Sequence, residues 1–181
     1  MAILQTKEQV KELGETVGRS NPNAVPRIER VIINVGTGRR VNADGKKAIE
    51  PVEKDLMRIT GQKPVIRKAK KSVASFKLRE GQAAGVMVTL RGRRAEDFLT
   101  RLVRIALPRT RDFRGIKRSA VDEGGNMHIG ITEQTIFLET VNEPTGVLFG
   151  MQVTVVTTAR NKEEGEALFT QLGFPLQKDE A

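Results

Sequence analysis

Residues 63–90, KPVIRKAKKSVASFKLREGQAAGVMVTL, decide the fold. Lys63 to Arg67 reads as a short strand. Ala84 to Leu90 alternates, with Ala84, Val86, Val88 and Leu90 on one face and Gly85, Met87 and Thr89 on the other. That is the period of a half-buried strand. Between them, Lys68 to Gln82 is polar, basic and poorly periodic, and reads as a long loop or hairpin tip. Loops of that length in compact domains are usually functional or disordered. Two strands with no helix between them cannot be parallel neighbours, because a parallel connection needs a crossover. A second such pair follows: Met127, Ile129 and Ile131, then the β-branched Met151 to Thr158. Upstream, Arg27 to Val35 places Val31, Ile33 and Val35 on one face, with Arg30 and Asn34 on the other.

Helical patterns surround these strands. Thr6-Lys7-Glu8-Gln9 has the form of a capping box, followed by Val10, Leu13 and Val17 at helical spacing. Asn21-Pro22-Asn23 and Pro26 break that helix. Asp44 to Thr60 carries Ile49, Val52, Leu56 and Ile59 in one stripe; Pro51 should kink it or delay its start to Glu50, and Gly61 stops it. Arg91 to Leu107 reads as the strongest helix, with Phe98, Leu99, Leu102, Val103, Ile105 and Ala106 as its core stripe and Pro108 as its end. Asn161 caps the last helix with Glu164 in capping-box position, and Ala167, Leu168 and Leu172 face inward. The expected architecture is α+β: a single domain over residues 1–181 with a largely antiparallel sheet and helices packed on one face. An N-terminal helix lies within 1–20, and a basic loop protrudes at 68–82.

Charge points to the partner. The 181 residues carry a net +9, but residues 63–118 alone carry +13, while 119–181 carry −7. A cationic block sustained over both strand and helix patterns implies a polyanion, nucleic acid first. The chain has no Trp, no Tyr and seven Phe, so base stacking has few platforms and contacts to phosphate and shape fit better. Phe76 is the one aromatic in the loop-like part of the basic block.

Enzyme chemistry finds little to work with. The absence of Cys excludes thiolate sites and cysteine catalysis, and the single His128 excludes a His-pair metal site and reads as an ordinary strand residue. Gly45-Lys46-Lys47 lacks the rest of a phosphate-binding loop, and Gly36-Thr37-Gly38 lacks the third glycine of a dinucleotide fingerprint and reads as a turn. Carboxylates are sparse in the basic block, against a two-metal nuclease. The expectation is no catalysis, no cofactor and no metal. No apolar run reaches the roughly 18 residues of a membrane span, and Met1 to Glu8 lacks a signal-peptide pattern, so a cytoplasmic protein without membrane contact is expected. Asn34, Gln62 and Thr89 stand at or beside strand ends; their placement fits either a solvated sheet face or a polar patch, and spacing alone leaves both open.

Five collinear blocks then carry a resemblance. Val25 to Gly36, Ile59 to Pro64 with Lys68 to Ala74, Val88 to Gly92, Ala106 to Gly115, and Gly124 to Asn126 with Val155 to Ala159 resemble the bacterial large-subunit ribosomal protein L-five family over about residues 25–176. The resemblance implies a structural constituent of the large subunit. It would bind 5S rRNA, help attach it in the central protuberance, and touch 23S rRNA, peptidyl-site tRNA, neighbouring large-subunit proteins and a small-subunit head protein. On this footing Asn34, Gln62, Thr89, Lys63 and Arg91 would bind 5S rRNA. Lys68, Lys70, Lys71, Ser72, Lys77 and Arg79 would form the tRNA-contacting loop. Arg109, Arg111 and Arg114, or the region after Phe137, would serve the intersubunit bridge or further rRNA. The segment before Asn21 lacks the aromatic-rich helix common in the family, and Pro51 stands where a helix former is expected.

Overall fold

The computed structural model describes residues 7–37, 49–76, 78–111, 113–141 and 147–177. Five strands form one antiparallel sheet in the order β2-β3-β1-β5-β4. They are β1 (Ile28–Gly36), β2 (Val65–Lys68), β3 (Ala83–Leu90), β4 (Met127–Ile131) and β5 (Met151–Thr157). The helices are α1 (Lys7–Thr16), α2 (Ile49–Thr60), α3 (Arg93–Arg101), the single turn α4 (Leu138–Val141) and α5 (Lys162–Gln171). The α+β class and the antiparallel sheet are as the strand pairs require. The alternation in the sequence is the alternation in space: Val31, Ile33 and Val35, then Val86, Val88 and Leu90, Met127, Ile129 and Ile131, and Met151, Val153 and Val155 are buried. Asn34, Thr89, His128 and Gln152 point the other way and are exposed or half-exposed.

By internal contacts the chain divides into two compact units. One comprises Met1–Val31, Arg91–Ile129 and Thr154–Ala181; the other comprises Ile32–Leu90 and Gly130–Val153. In the second, α2 packs against β3 with Val52, Leu56 and Ile59 fully buried, each worth about 1.5–3 kcal/mol relative to exposure. In the first, α1 packs on α5 through Leu13, Val25 and Leu168, with Val10, Ala167 and Leu172 around them. Phe169, which the inward stripe of α5 did not include, is fully buried and meets Phe174 edge-on at 5.1 Å. Gly165 of α5 touches the backbone of Gly125: a Cβ there would lie 2.6 Å from both the Cα and the carbonyl oxygen of Gly125.

Two expectations change. The helix over 91–107 ends as an α-helix at Arg101. Leu102–Ala106 widens into a π turn and Leu107–Arg109 tightens into a 3₁₀ turn. Pro108 is the physical reason, since it has no N–H to return to Arg104 and its ring crowds that carbonyl. The wider turn rotates Ile105 out of the core stripe, leaving it 40% exposed, and leaves Val103 half-buried. The described α2 starts at Ile49, within one residue of the delayed start at Glu50 that Pro51 predicts, and Pro51 sits in the first turn, where its missing N–H would have no intrahelical partner. Asn161 caps α5 by accepting from the Glu164 N–H at 2.9 Å, but the Glu164 carboxylate does not close a capping box; it accepts from the Arg160 N–H at 3.0 Å and from Arg19. The Thr6 cap, residues 38–48 with the turn at Gly38 and the Asp44 start, and Lys77 lie outside the described residues.

Candidate nucleic-acid interface

In the second unit β2 and β3 pair as an antiparallel hairpin. Its register pairs Val65 with Met87, Ile66 with Val86, Arg67 with Gly85 and Lys68 with Ala83. The step between the last two pairs is a β-bulge that leaves Ala84 without a partner on β2. β2 is an edge strand with all four residues exposed, and Lys63 just before it is exposed too.

Gln62 is half-buried and held from two sides. Its Nε2 donates to the Thr89 carbonyl at 3.1 Å, and its backbone N–H donates to Thr60 Oγ1 at 3.3 Å, while that hydroxyl donates to the Leu56 carbonyl. The Gly61 turn at φ +66° delivers Gln62 to this position, a conformation few side chains tolerate. The structure therefore brings Gln62 and Thr89 together directly. Asn34 lies on neighbouring β1, exposed on the side away from Ile33 and Val35, as Thr89 lies away from Val88 and Leu90. β1 and β3 approach closely here, since a Cβ on Gly85 would stand 2.7 Å from the Val35 carbonyl oxygen.

Beyond β2 the basic loop is a braced extension of the hairpin. The Ala69 N–H donates to the Gln82 carbonyl and the Gly81 N–H to Ala69; Val73 and Leu78 exchange both backbone bonds at 2.9 and 3.2 Å. Two side chains complete it: Ser72 Oγ accepts from the Glu80 N–H and Gln82 Oε1 from the Arg79 N–H, each at 3.0 Å. Ser72, which the resemblance places at the RNA, thus also fastens the loop; Gln82 was missed, because its partner is apparent only once the loop is folded. Lys68, Lys70, Lys71 and Arg79 are exposed along the hairpin, and at its tip, Ala74–Phe76, Phe76 is 73% exposed.

The remaining candidates, Arg91, Arg109, Arg111 and Arg114, belong to the first unit and are all exposed, as are Arg94 and Arg104. They are exposed cations of the first unit, whereas the loop belongs to the second. The first unit also holds a polar network that sequence reasoning missed. His128 Nε2 lies 3.3 Å from Asp122 Oδ2 and its Nδ1 3.1 Å from Thr154 Oγ1. Asp122 Oδ1 accepts from the Asn126 N–H at 2.7 Å, Asn126 Oδ1 accepts from the Thr157 N–H, and Thr157 Oγ1 donates to the Gly125 carbonyl at 2.8 Å. Burial opposes ionisation of Asp122, but the Asn126 donors and His128 outweigh it and hold the carboxyl below its usual range. Burial likewise opposes ionisation of Glu164, and Arg19 with the Arg160 N–H again prevails. No group of three or more His, Cys, Asp or Glu suited to a metal occurs among the described residues.

The model described as ribosomal protein L5 matches residues 21–79, and the model for the C-terminus of the same ribosomal family matches residues 83–176. The chain belongs to the ribosomal protein L5 family. It is 48% identical over 172 residues to the large ribosomal subunit protein uL5 of Anaeromyxobacter sp. (strain Fw109-5), covering 95% of this chain and 94% of the relative. It is 48% identical to that of Leifsonia xyli subsp. xyli over 96% of this chain and 88% of the relative, and 44% identical to that of Dictyoglomus turgidum over 95% of each. A member of the L5 family is a ribosomal protein and not an enzyme. No helix among the described residues is long and apolar enough to cross a membrane.

Proposed function

We propose that the chain is a structural constituent of the large ribosomal subunit that binds 5S rRNA through Asn34, Gln62 and Thr89. Lys63 and Arg91 add phosphate contacts. The observation that carries this reading is the Gln62 Nε2 to Thr89 carbonyl bond, which presents a pre-ordered polar pair beside an exposed asparagine on the neighbouring strand. Hydrogen-bonding groups fixed before binding lose little entropy on meeting RNA. The braced loop, with Lys68, Lys70, Lys71 and Arg79, reaches the peptidyl-site tRNA. Arg109, Arg111 and Arg114 meet 23S rRNA. Leu138, Val141 and Leu148 are 49%, 48% and 57% exposed, with the backbone of 147–149 tied down by Gln134; these apolar side chains suit the small-subunit head protein better than the arginines do.

Binding of the purified protein to 5S rRNA and to a same-length scrambled RNA, at two salt concentrations, tests the reading. A preference for 5S rRNA that survives the higher salt is expected. With roughly 5 phosphates neutralised, the log–log salt slope is about −3.5 to −4.5. Asn34→Ala is expected to cost about 1–3 kcal/mol of 5S affinity. Equal binding to both RNAs that vanishes with salt would reduce the interface to its charge.

A further inference from the structure

We propose that Phe76 is a stacking platform, so that the basic loop takes an unstacked nucleobase and not only phosphates. The proposal rests on the loop being a tRNA contact and goes beyond it by naming what is recognised. Five of the chain's seven phenylalanines, Phe98, Phe137, Phe149, Phe169 and Phe174, are buried. Phe76 is 73% exposed, the most open large apolar residue among the described residues. A loose loop would fold such a ring inward. This loop is closed by the Val73–Leu78 pair and by the Ser72 and Gln82 side chains, so the ring is presented on a prepared support.

The surroundings choose the occupant. Lys68, Lys70, Lys71 and Arg79 are all exposed on the same short hairpin, with Glu80 the one acidic side chain between Lys68 and Gln82. Such a run of cations along the hairpin steers a polyanion to it, and an aromatic face on a cationic segment is a recurring arrangement for holding an unstacked base. An apolar pocket on a protein would be matched by more apolar neighbours; Val73, at 38% exposure, is the nearest in sequence among the exposed large apolar residues. The target is therefore an RNA loop with a free base face, not a continuous duplex.

The chain has no Trp, so Phe76→Trp installs a single indole reporter at the tip. Binding of full-length wild type, F76W, F76L and F76A would be measured against tRNA and against a fully paired RNA duplex. F76A and F76L should each lose about tenfold or more for tRNA and nothing for duplex. F76W should bind tRNA as wild type does, with its emission quenched. F76L within twofold of wild type, or an indole that stays bright in the tRNA complex, overturns the proposal. So does an equal loss for duplex, which would make the ring a support of the loop. An indole indifferent to tRNA but shifted to shorter wavelength by small-subunit proteins would assign the tip to a protein pocket instead. The double variant K70E/K71E tests the loop reading apart from the ring: undiminished tRNA binding there would remove both, whereas weakened binding with F76L unaffected would remove only stacking.

Discussion

The loop at 69–82 and the turn at 122–128 are built from the same parts and used in opposite ways. Both are fastened by side chains that satisfy backbone N–H groups: Ser72 and Gln82 in one, Asp122 and Asn126 in the other. In the first, the bracing leaves cations and an aromatic ring in solvent. In the second, the turn is pressed against α5 at Gly165, and Asn126 and Thr157 tie it to β5. A braced turn that stands exposed presents its side chains; one with a helix against it locks a fold. Hydrogen bonds alone do not distinguish the two, because each contributes only about 1 kcal/mol net in either setting.

That contrast is most severely tested at Gly165. Alanine would gain up to about 1 kcal/mol of helix propensity, yet its Cβ would collide with the Gly125 backbone at 2.6 Å, and backbone cannot swing aside. Gly165→Ala is expected to lower global stability by about 2 kcal/mol net, read by chemical denaturation. A neutral result would show that the contact is not what locks the turn.

The next effect is a matter of pH. The Glu164 carboxyl is held below its usual range in the folded state. Its ionised form therefore contributes stability that is present above the ordinary glutamate value near 4.5 and is lost as pH falls through the lowered folded value. Wild type should lose stability over that acid window, and Glu164→Gln should be less stable at neutral pH with a flatter acid limb. Parallel acid limbs for the two proteins would place the titration elsewhere.

The smallest expected change in stability sits in the loop. Ser72→Ala removes one bond to the Glu80 N–H and should cost under about 1 kcal/mol, with global unfolding little altered. Hydrogen exchange at Glu80 should quicken, and tRNA binding should weaken severalfold. If Ser72→Ala destabilised the protein as much as Gly165→Ala, the two turns would not differ in kind.

The sequence disclosed most of the sheet because β1, β3, β4 and β5 each bury alternate residues, a pattern that needs no knowledge of partners. It disclosed the Asn161 cap for the same local reason. It did not disclose the π turn at Leu102–Ala106, because apolar spacing alone cannot register a proline acting four residues back. The candidate site divides likewise. Gln62 and Thr89 were singled out as polar residues at strand boundaries, but their bond joins positions 27 apart in sequence. His128 read as an ordinary strand residue because Asp122 and Thr154 meet it only when β4 and β5 lie side by side.

The bulge at Ala84 gives the hairpin a lever's geometry. From Lys68 to the tip is about seven residues, at most about 23 Å of extended chain at ~3.3 Å per residue. A bend at the root of such an arm is magnified along it: a change of about 10° in the strand's course, well within what a bulge imposes, would carry the tip some 4 Å. Removing Ala84 would keep every lysine and the exposed ring yet aim them at the wrong place. One alanine with no chemistry of its own thus sets the reach and bearing of everything the arm carries.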